Sequence, residues 1–163
     1  MLFRSQTNKV KYLVGKVDLI QSVDSDKLAT EIDRVAKNRN LVQNILIEVN
    51  IGGELSKSGF TLEKAFDSVI EISNKYYNIC VKGLMAMLPH TDDKTLLENL
   101  CKKMRDLFDR LKDYGLALEF LSMGMSNDYL VAIKSGSNMI RLGSSIFGKR
   151  NYLDKKDETN GCI

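Results

Sequence analysis

Two strand ends look like an anion site, one at Ser126 and one at Gly143-Ser144, the second following shortly after Arg141. Ser126 stands just before a short predicted helix, and Gly143-Ser144 forms a small-residue turn with open backbone N–H groups. Helix N-termini and glycine turns hold phosphates through such groups and through the helix dipole. The competing reading makes Ser126 a simple N-cap and Gly143 a tight turn. Arg141 lies between Ile140 and Leu142 in an apolar run, so its guanidinium needs a partner. That partner is either a ligand or a carboxylate, with Glu48 and Glu119 as the candidates.

Other reactive residues point to less. Lys57 sits in a Gly/Ser-rich loop, but the Gly-x-x-x-x-Gly-Lys-Ser/Thr order of a P-loop is absent. His90 is the sole histidine, placed after Pro89 in a loop, and no serine or cysteine is spaced to make a triad with it. The carboxylates show no pairing that suggests glycosidase or metal chemistry. Met85, Met87, Met123 and Met125 read as packing around a pocket rather than as thioether metal ligands. No catalytic residue and no metal site is assigned.

Composition sets the bounds. Hydrophobic residues make up 44% of the 163 and charged residues 28%, as in a globular chain with a real core. The formal net charge is +3, with Lys and Arg scattered among Asp and Glu, which argues against a nucleic-acid partner. Cys80, Cys101 and Cys162 fit neither a zinc pattern nor a Cys-x-x-Cys redox pair. They read as reduced thiols in a cytoplasmic protein. The apolar stretches are too short and broken to span a bilayer, so no membrane role is expected.

The elements that must position these residues alternate. A helix ends over 8–14, closed by Gly15, and a strand follows over 17–23. Leu28, Ile32, Val35 and Ala36 fall on one face of a helix. A strand rich in branched residues covers 44–50, and Thr61 caps a helix carrying Ala65, Phe66, Val69 and Ile70 inward. A strand over 79–85 precedes a long helix with Leu97, Leu100, Met104, Leu107, Phe108 and Leu111 at helical spacing, ended at Gly115. A fourth strand covers 119–123, a short helix 128–134, and a fifth strand 138–142.

Strands separated by helices imply parallel pairing through right-handed crossovers. An open doubly wound sheet and part of a (β/α)8 barrel both fit. A complete barrel of that kind needs roughly 200–250 residues, so five strands are too few to close one. In either architecture ligands collect at the carboxyl ends of the strands, where the residues named above lie.

The motifs now carry a resemblance. Ile47-Glu-Val-Asn50, Ser56-Lys-Ser-Gly59, Gly83-Leu-Met-Ala86, Leu121-Ser-Met-Gly-Met-Ser126 followed by Asp128, and Arg141-x-Gly-x-x-Ile-Phe-Gly148 resemble the pyridoxal-phosphate homeostasis proteins. Gln6-Thr-Asn-Lys-Val-Lys11 and Ser22-Val-Asp-Ser25 match as well, so the motifs run in the family's order from Gln6 to Tyr152. The resemblance implies a barrel like the N-terminal domain of alanine racemase. It implies pyridoxal 5'-phosphate held as a lysine Schiff base, no established catalytic reaction, and a part in balancing vitamin B6 vitamers and amino-acid pools.

Carried over by motif, Arg141 faces the pyridine nitrogen, and Ser126, Gly143 and Ser144 hold the phosphate. Met85 and the turn of Ser122, Met123, Gly124 and Met125 line the pocket. An arginine opposite the ring nitrogen disfavours a pyridinium, which weakens the ring as an electron sink and suits a carrier better than a transaminase. The family's Schiff-base lysine lies on its first strand, ahead of a segment that residues 1–6 match only loosely, and no lysine here matches it. The expected fold is therefore an N-terminally truncated α/β barrel domain over 1–152, with about five parallel strands equivalent to family strands 4–8, and a polar tail over 153–163.

The expected function is pyridoxal 5'-phosphate binding in vitamin B6 and amino-acid homeostasis, noncovalent at most in this chain. The alternative is an inactive or split-gene fragment with no cofactor binding of its own. A racemase-type enzyme is argued against by the unmatched lysine. The expected partner is the small-molecule cofactor, with self-association through exposed barrel edges.

Overall fold

The computed structural model describes residues 9–54 and 57–148. The predicted helix start at Asn8 and the tail over 153–163 lie outside the described residues. The elements run α1 (Val10–Leu13), β1 (Leu19–Val23), α2 (Asp26–Asn38), β2 (Gln43–Asn50), β3 (Phe60–Thr61), α3 (Leu62–Lys75), β4 (Ile79–Ala86), α4 (Lys94–Asp113), β5 (Phe120–Ser122), α5 (Tyr129–Lys134) and α6 (Ser144–Phe147). No helix among the described residues is long and apolar enough to cross a membrane.

The helices form where periodicity and caps agree. Ser25 starts α2 by accepting the Leu28 N–H, and Leu28, Ala29, Ile32, Val35 and Ala36 are buried along one stripe. Asp93 starts α4 in the same way through the Leu96 N–H. The six residues that the spacing placed inward on α4 are all buried. Thr61 occupies the N-cap of α3, but its side chain makes no capping bond. Ala65, Val69 and Ile72 are the buried residues there, while Phe66 and Ile70 pack part-buried against the core.

The sheet is parallel throughout. β2 sits centrally, with β1 on one side and β4 on the other, and β5 follows β4. The two-residue β3 pairs with Val49 and Asn50, past the last β1 partner at Ile47. The register sorts the side chains into two faces, because in-register neighbours point the same way. Ile47, Leu84 and Leu121 form one outward row, packed in the core with the helices. Glu48, Met85 and Ser122 form the row facing the other way.

That second face is concave. β1 and β5 are separated by β2 and β4, which in a flat sheet would hold them ~14 Å apart at about 4.8 Å per strand. Gln21 on β1 nevertheless meets Ser122 on β5 in a hydrogen bond of 3.0 Å. A glutamine and a serine side chain cannot span the flat distance together, so the sheet curls. A curled parallel sheet with helices outside is an arc of a (β/α) barrel, not an open doubly wound sheet.

One predicted strand is corrected. Residues 138–142 do not form a strand, and only Met139 bridges Ser122. Backbone bonds remain, from Asn138 and Met139 N–H to the Leu121 carbonyl, from Met123 N–H to the Met139 carbonyl and from Arg141 N–H to the Gly124 carbonyl, and side chains add to them. Asn138 accepts the Leu121 N–H through Oδ1 at 2.7 Å and donates from Nδ2 to the Glu119 carbonyl at 2.7 Å. The buried Ser137 hydroxyl lies 3.0, 2.8 and 3.0 Å from the carbonyls of Leu121, Met123 and Met139. These bonds satisfy β5 from the side while leaving the segment irregular. β3 went unpredicted because two residues carry no periodicity.

Cys80 and Cys101 are free thiols. Cys101 is fully buried on α4. Burial, reinforced by the charge of Asp128, pushes its thiol from an ordinary 9.0 up to about 11. The folded value lies above the unfolded one, so its contribution to stability is complete below about pH 9 and is lost as pH rises toward about 11. Iodoacetamide at pH 8 should label the half-buried Cys80 and reach Cys101 only after unfolding. Mass spectrometry of the labelled native chain checks this, and a modified native Cys101 would contradict it.

Candidate functional site at the strand carboxyl ends

Arg141 follows Gly124 across the end of the sheet, its N–H donating to the Gly124 carbonyl at 2.9 Å. Its guanidinium then turns onto the ends of β4 and β5. Nη1 donates to the Ser122 carbonyl at 3.0 Å and to Ser122 Oγ at 2.7 Å, and Nη2 donates to the Ala86 carbonyl at 2.8 Å. Nε is buried and has no hydrogen-bond partner. Burial lowers the pKa of Arg141 from its ordinary value, and the carboxylates of Glu48 and Asp128 oppose that shift. An arginine stays protonated even so, so the site carries a fixed positive charge with an unused N–H.

Of the two carboxylates weighed for Arg141, Glu119 pairs with Lys82 instead. Glu48 is buried on the concave row and acts on Arg141 through its charge. The fork itself is spent on carbonyls and a hydroxyl that hold it in one pose.

The Ser126 turn is closed by Asp128. Asp128, not Ser126, is the N-cap of α5. The buried Asp128 carboxylate accepts the Met125 N–H at 2.5 Å, and the Asp128 N–H returns to the Met125 carbonyl at 3.1 Å. This closes the turn and leaves Ser126 free to face α6. Its Oγ accepts the Ser145 N–H at 3.2 Å. Gly143 is the N-cap of α6 and Ser144 its first residue, and both are exposed. The first N–H groups of any helix lack intrahelical acceptors. The Ser126 turn and the start of α6 at Gly143, Ser144 and Ser145 therefore meet, two residues past Arg141.

The methionines separate. Met85 is fully buried on the concave row with Glu48 and Ser122. Met123 is a core residue on the helix side, so its side chain does not line the concave face. Its backbone belongs to the turn, bonded to Met139. Met125 is half-buried. Gly124 has φ +101, and a Cβ there would meet Ala132 Cβ at 2.8 Å and Tyr129 Cα at 3.0 Å. Only glycine lets β5 turn this close to α5. Lys57 pairs with Glu54 at 2.7 Å, and His90 is exposed.

Gln21, Ala86, Asp128 and Ser145 were not assigned to the site from sequence. Asp128 and Ser145 sit inside or next to recognisable motifs. Ala86 acts through its carbonyl, and Gln21 lies 101 residues from the serine it touches.

This chain belongs to the alanine racemase N-terminal domain family, whose profile matches residues 1–151. Within it, the chain is similar to pyridoxal phosphate homeostasis proteins. It is 44% identical over 153 residues to the one from Aquifex aeolicus, covering 91% of this chain and 65% of that protein. The chain thus spans about 65% of the length of its curated relatives. Among solved structures, a protein of unknown function from Bifidobacterium adolescentis superposes with a TM-score of 0.85 at 35% identity, covering 90% of this chain and 59% of that one. PipY of Synechococcus elongatus, solved with PLP bound, gives 0.79 at 28% identity, covering 91% and 69%.

Proposed function

We propose that this chain binds pyridoxal 5'-phosphate at the carboxyl ends of β4 and β5 and serves vitamin B6 and amino-acid homeostasis in the cytoplasm. The observation that carries this is Arg141, a half-buried cation fixed by Ser122 and Ala86 with its buried Nε–H unused. Such a group suits a ligand acceptor such as a pyridine nitrogen. The turn of Ser126, Gly143 and Ser144 offers hydroxyls and backbone N–H groups to a phosphate. Met85, Ser122, Gly124 and Met125 complete the surroundings, with Met123 contributing backbone. Free thiols at Cys80 and Cys101 suit a reducing compartment.

When bound, this cofactor supplies an aldehyde and an electron-withdrawing ring. Arg141 opposite the ring nitrogen keeps a second positive charge away from it, which supports a carrier or sensor rather than a racemase. Arg141 and the phosphate turn hold the cofactor by hydrogen bonds and charge, so binding by these residues is read as noncovalent. The outer edge of β1 pairs with no strand among the described residues, which favours self-association there.

Titrating the purified chain with pyridoxal 5'-phosphate should give saturable one-to-one binding. Borohydride treatment should leave no stoichiometric adduct at a single lysine. Absence of saturable binding would support the alternative of a fragment without cofactor binding. A single stoichiometric adduct would refute the noncovalent reading.

A further inference from the structure

We propose that Gln21 is a positioning residue for Arg141, acting through the Ser122 hydroxyl. Arginine can only donate, so Ser122 Oγ must accept from Arg141 Nη1, at 2.7 Å. That leaves the single hydroxyl proton of Ser122 for another acceptor. Gln21 Oε1 takes it at 3.0 Å. Bond direction thus runs one way, from the guanidinium through the hydroxyl to the amide oxygen, and each bond polarises the next.

These bonds also link the two ends of the curled sheet across the concave face. Ser122 is fully buried and lies on β5, whereas Gln21 lies on β1. Without Gln21, the serine hydroxyl has a choice of rotamer and its proton can turn toward Arg141. With it, the hydroxyl presents a lone pair to Nη1. The arginine pose is then fixed by a residue that touches no ligand atom in this account. A flexible arginine loses rotamer freedom on binding, and one already fixed does not.

The inference uses the cofactor reading for its binding arm but has a second arm that needs no ligand. The variants are Gln21→Met, which keeps length without an acceptor, and Gln21→Glu, which keeps the acceptor. In the ligand-free chain, the Arg141 Nε–H should exchange with solvent several-fold faster in Gln21→Met than in wild type, followed by guanidinium NMR. Pyridoxal 5'-phosphate affinity should fall by about 2- to 12-fold, as for loss of one ordinary hydrogen bond. Gln21→Glu should return both toward wild type.

Ser122→Ala should show the same loss, and adding Gln21→Met to it should make nothing worse, since both act through one path. Wild-type exchange and affinity in a folded Gln21→Met chain would overturn the proposal, as would full additivity with Ser122→Ala. If the wild-type chain takes up no cofactor yet Gln21→Met still speeds Arg141 exchange, the cofactor reading fails and the positioning role stands.

Discussion

Replacing Arg141 with methionine should weaken pyridoxal 5'-phosphate binding by roughly 10- to 150-fold, the span expected for losing one hydrogen bond to a charged group. The methionine keeps length and apolar bulk but removes the cation and the fork. The carbonyls of Ser122 and Ala86 then lose their donors at the ends of β5 and β4. Leaving such acceptors unmet at a part-buried site costs about 1–3 kcal/mol, so the midpoint of urea unfolding should fall as well. Arg141→Lys separates the two effects. It retains a charge to face Glu48 and Asp128 but cannot reproduce a planar fork onto two strands. Lysine should recover part of the stability and little of the affinity. Binding of Arg141→Met within twofold of wild type would remove Arg141 from the site.

The second large effect is structural. Gly83 lies in β4 where β5 approaches most closely. A Cβ there would sit 1.8 Å from the Phe120 carbonyl oxygen and 2.7 Å from its carbon. Both atoms are backbone, so no rotamer change relieves the clash, and β5 must move. Gly83 is in register with Phe120, and Met85 with Ser122 two residues on. A displaced β5 therefore carries Ser122 away from Arg141 and Gln21. Gly83→Ala should cost about 3 kcal/mol or more, at the upper end for overpacking, and should abolish cofactor binding. Gly53→Ala serves as the comparison. Its φ is +67 with nothing near the new Cβ, so only backbone strain of about 1–2 kcal/mol applies. Equal unfolding midpoints for Gly83→Ala and wild type would show that β4 and β5 are not packed as described.

The helices were legible because burial has one period. Leu28, Ile32, Val35 and Ala36, or Leu97 through Leu111, announce their buried faces without knowledge of what they pack on. The strands were legible where runs of branched residues are long, as at 44–50. The stretch over 138–142 misled for a physical reason. Its apolar residues suggest a strand, but it meets β5 through one bridge and a few backbone bonds, with Ser137 and Asn138 adding side-chain bonds, and a hydrophobic pattern does not record that. The short helix over 128–134 was legible with Ser126 ahead of it, but the sequence Ser-Asn-Asp offers two candidates for the N-cap position. Asp128 occupies the N-cap position without a side-chain capping bond, its carboxylate closing the turn onto Met125 instead.

Arg141 was legible as a buried cation in need of a partner, while the identity of that partner was not. A carbonyl acceptor such as Ala86 leaves no mark on residue type. Met123 and Met85 looked equivalent in the sequence, but register places them on opposite faces of the sheet. Gln21 was invisible for the deepest reason. Its contact with Ser122 exists only because the sheet curls, and curvature is a property of packed strands rather than of any one segment.

The most direct measurement is a crystal structure of this chain grown with pyridoxal 5'-phosphate. The account predicts the phosphate at the turn of Ser126, Gly143 and Ser144, and the ring nitrogen facing the Arg141 guanidinium. A cofactor bound elsewhere on the chain, or one with its ring nitrogen turned away from Arg141, would contradict it.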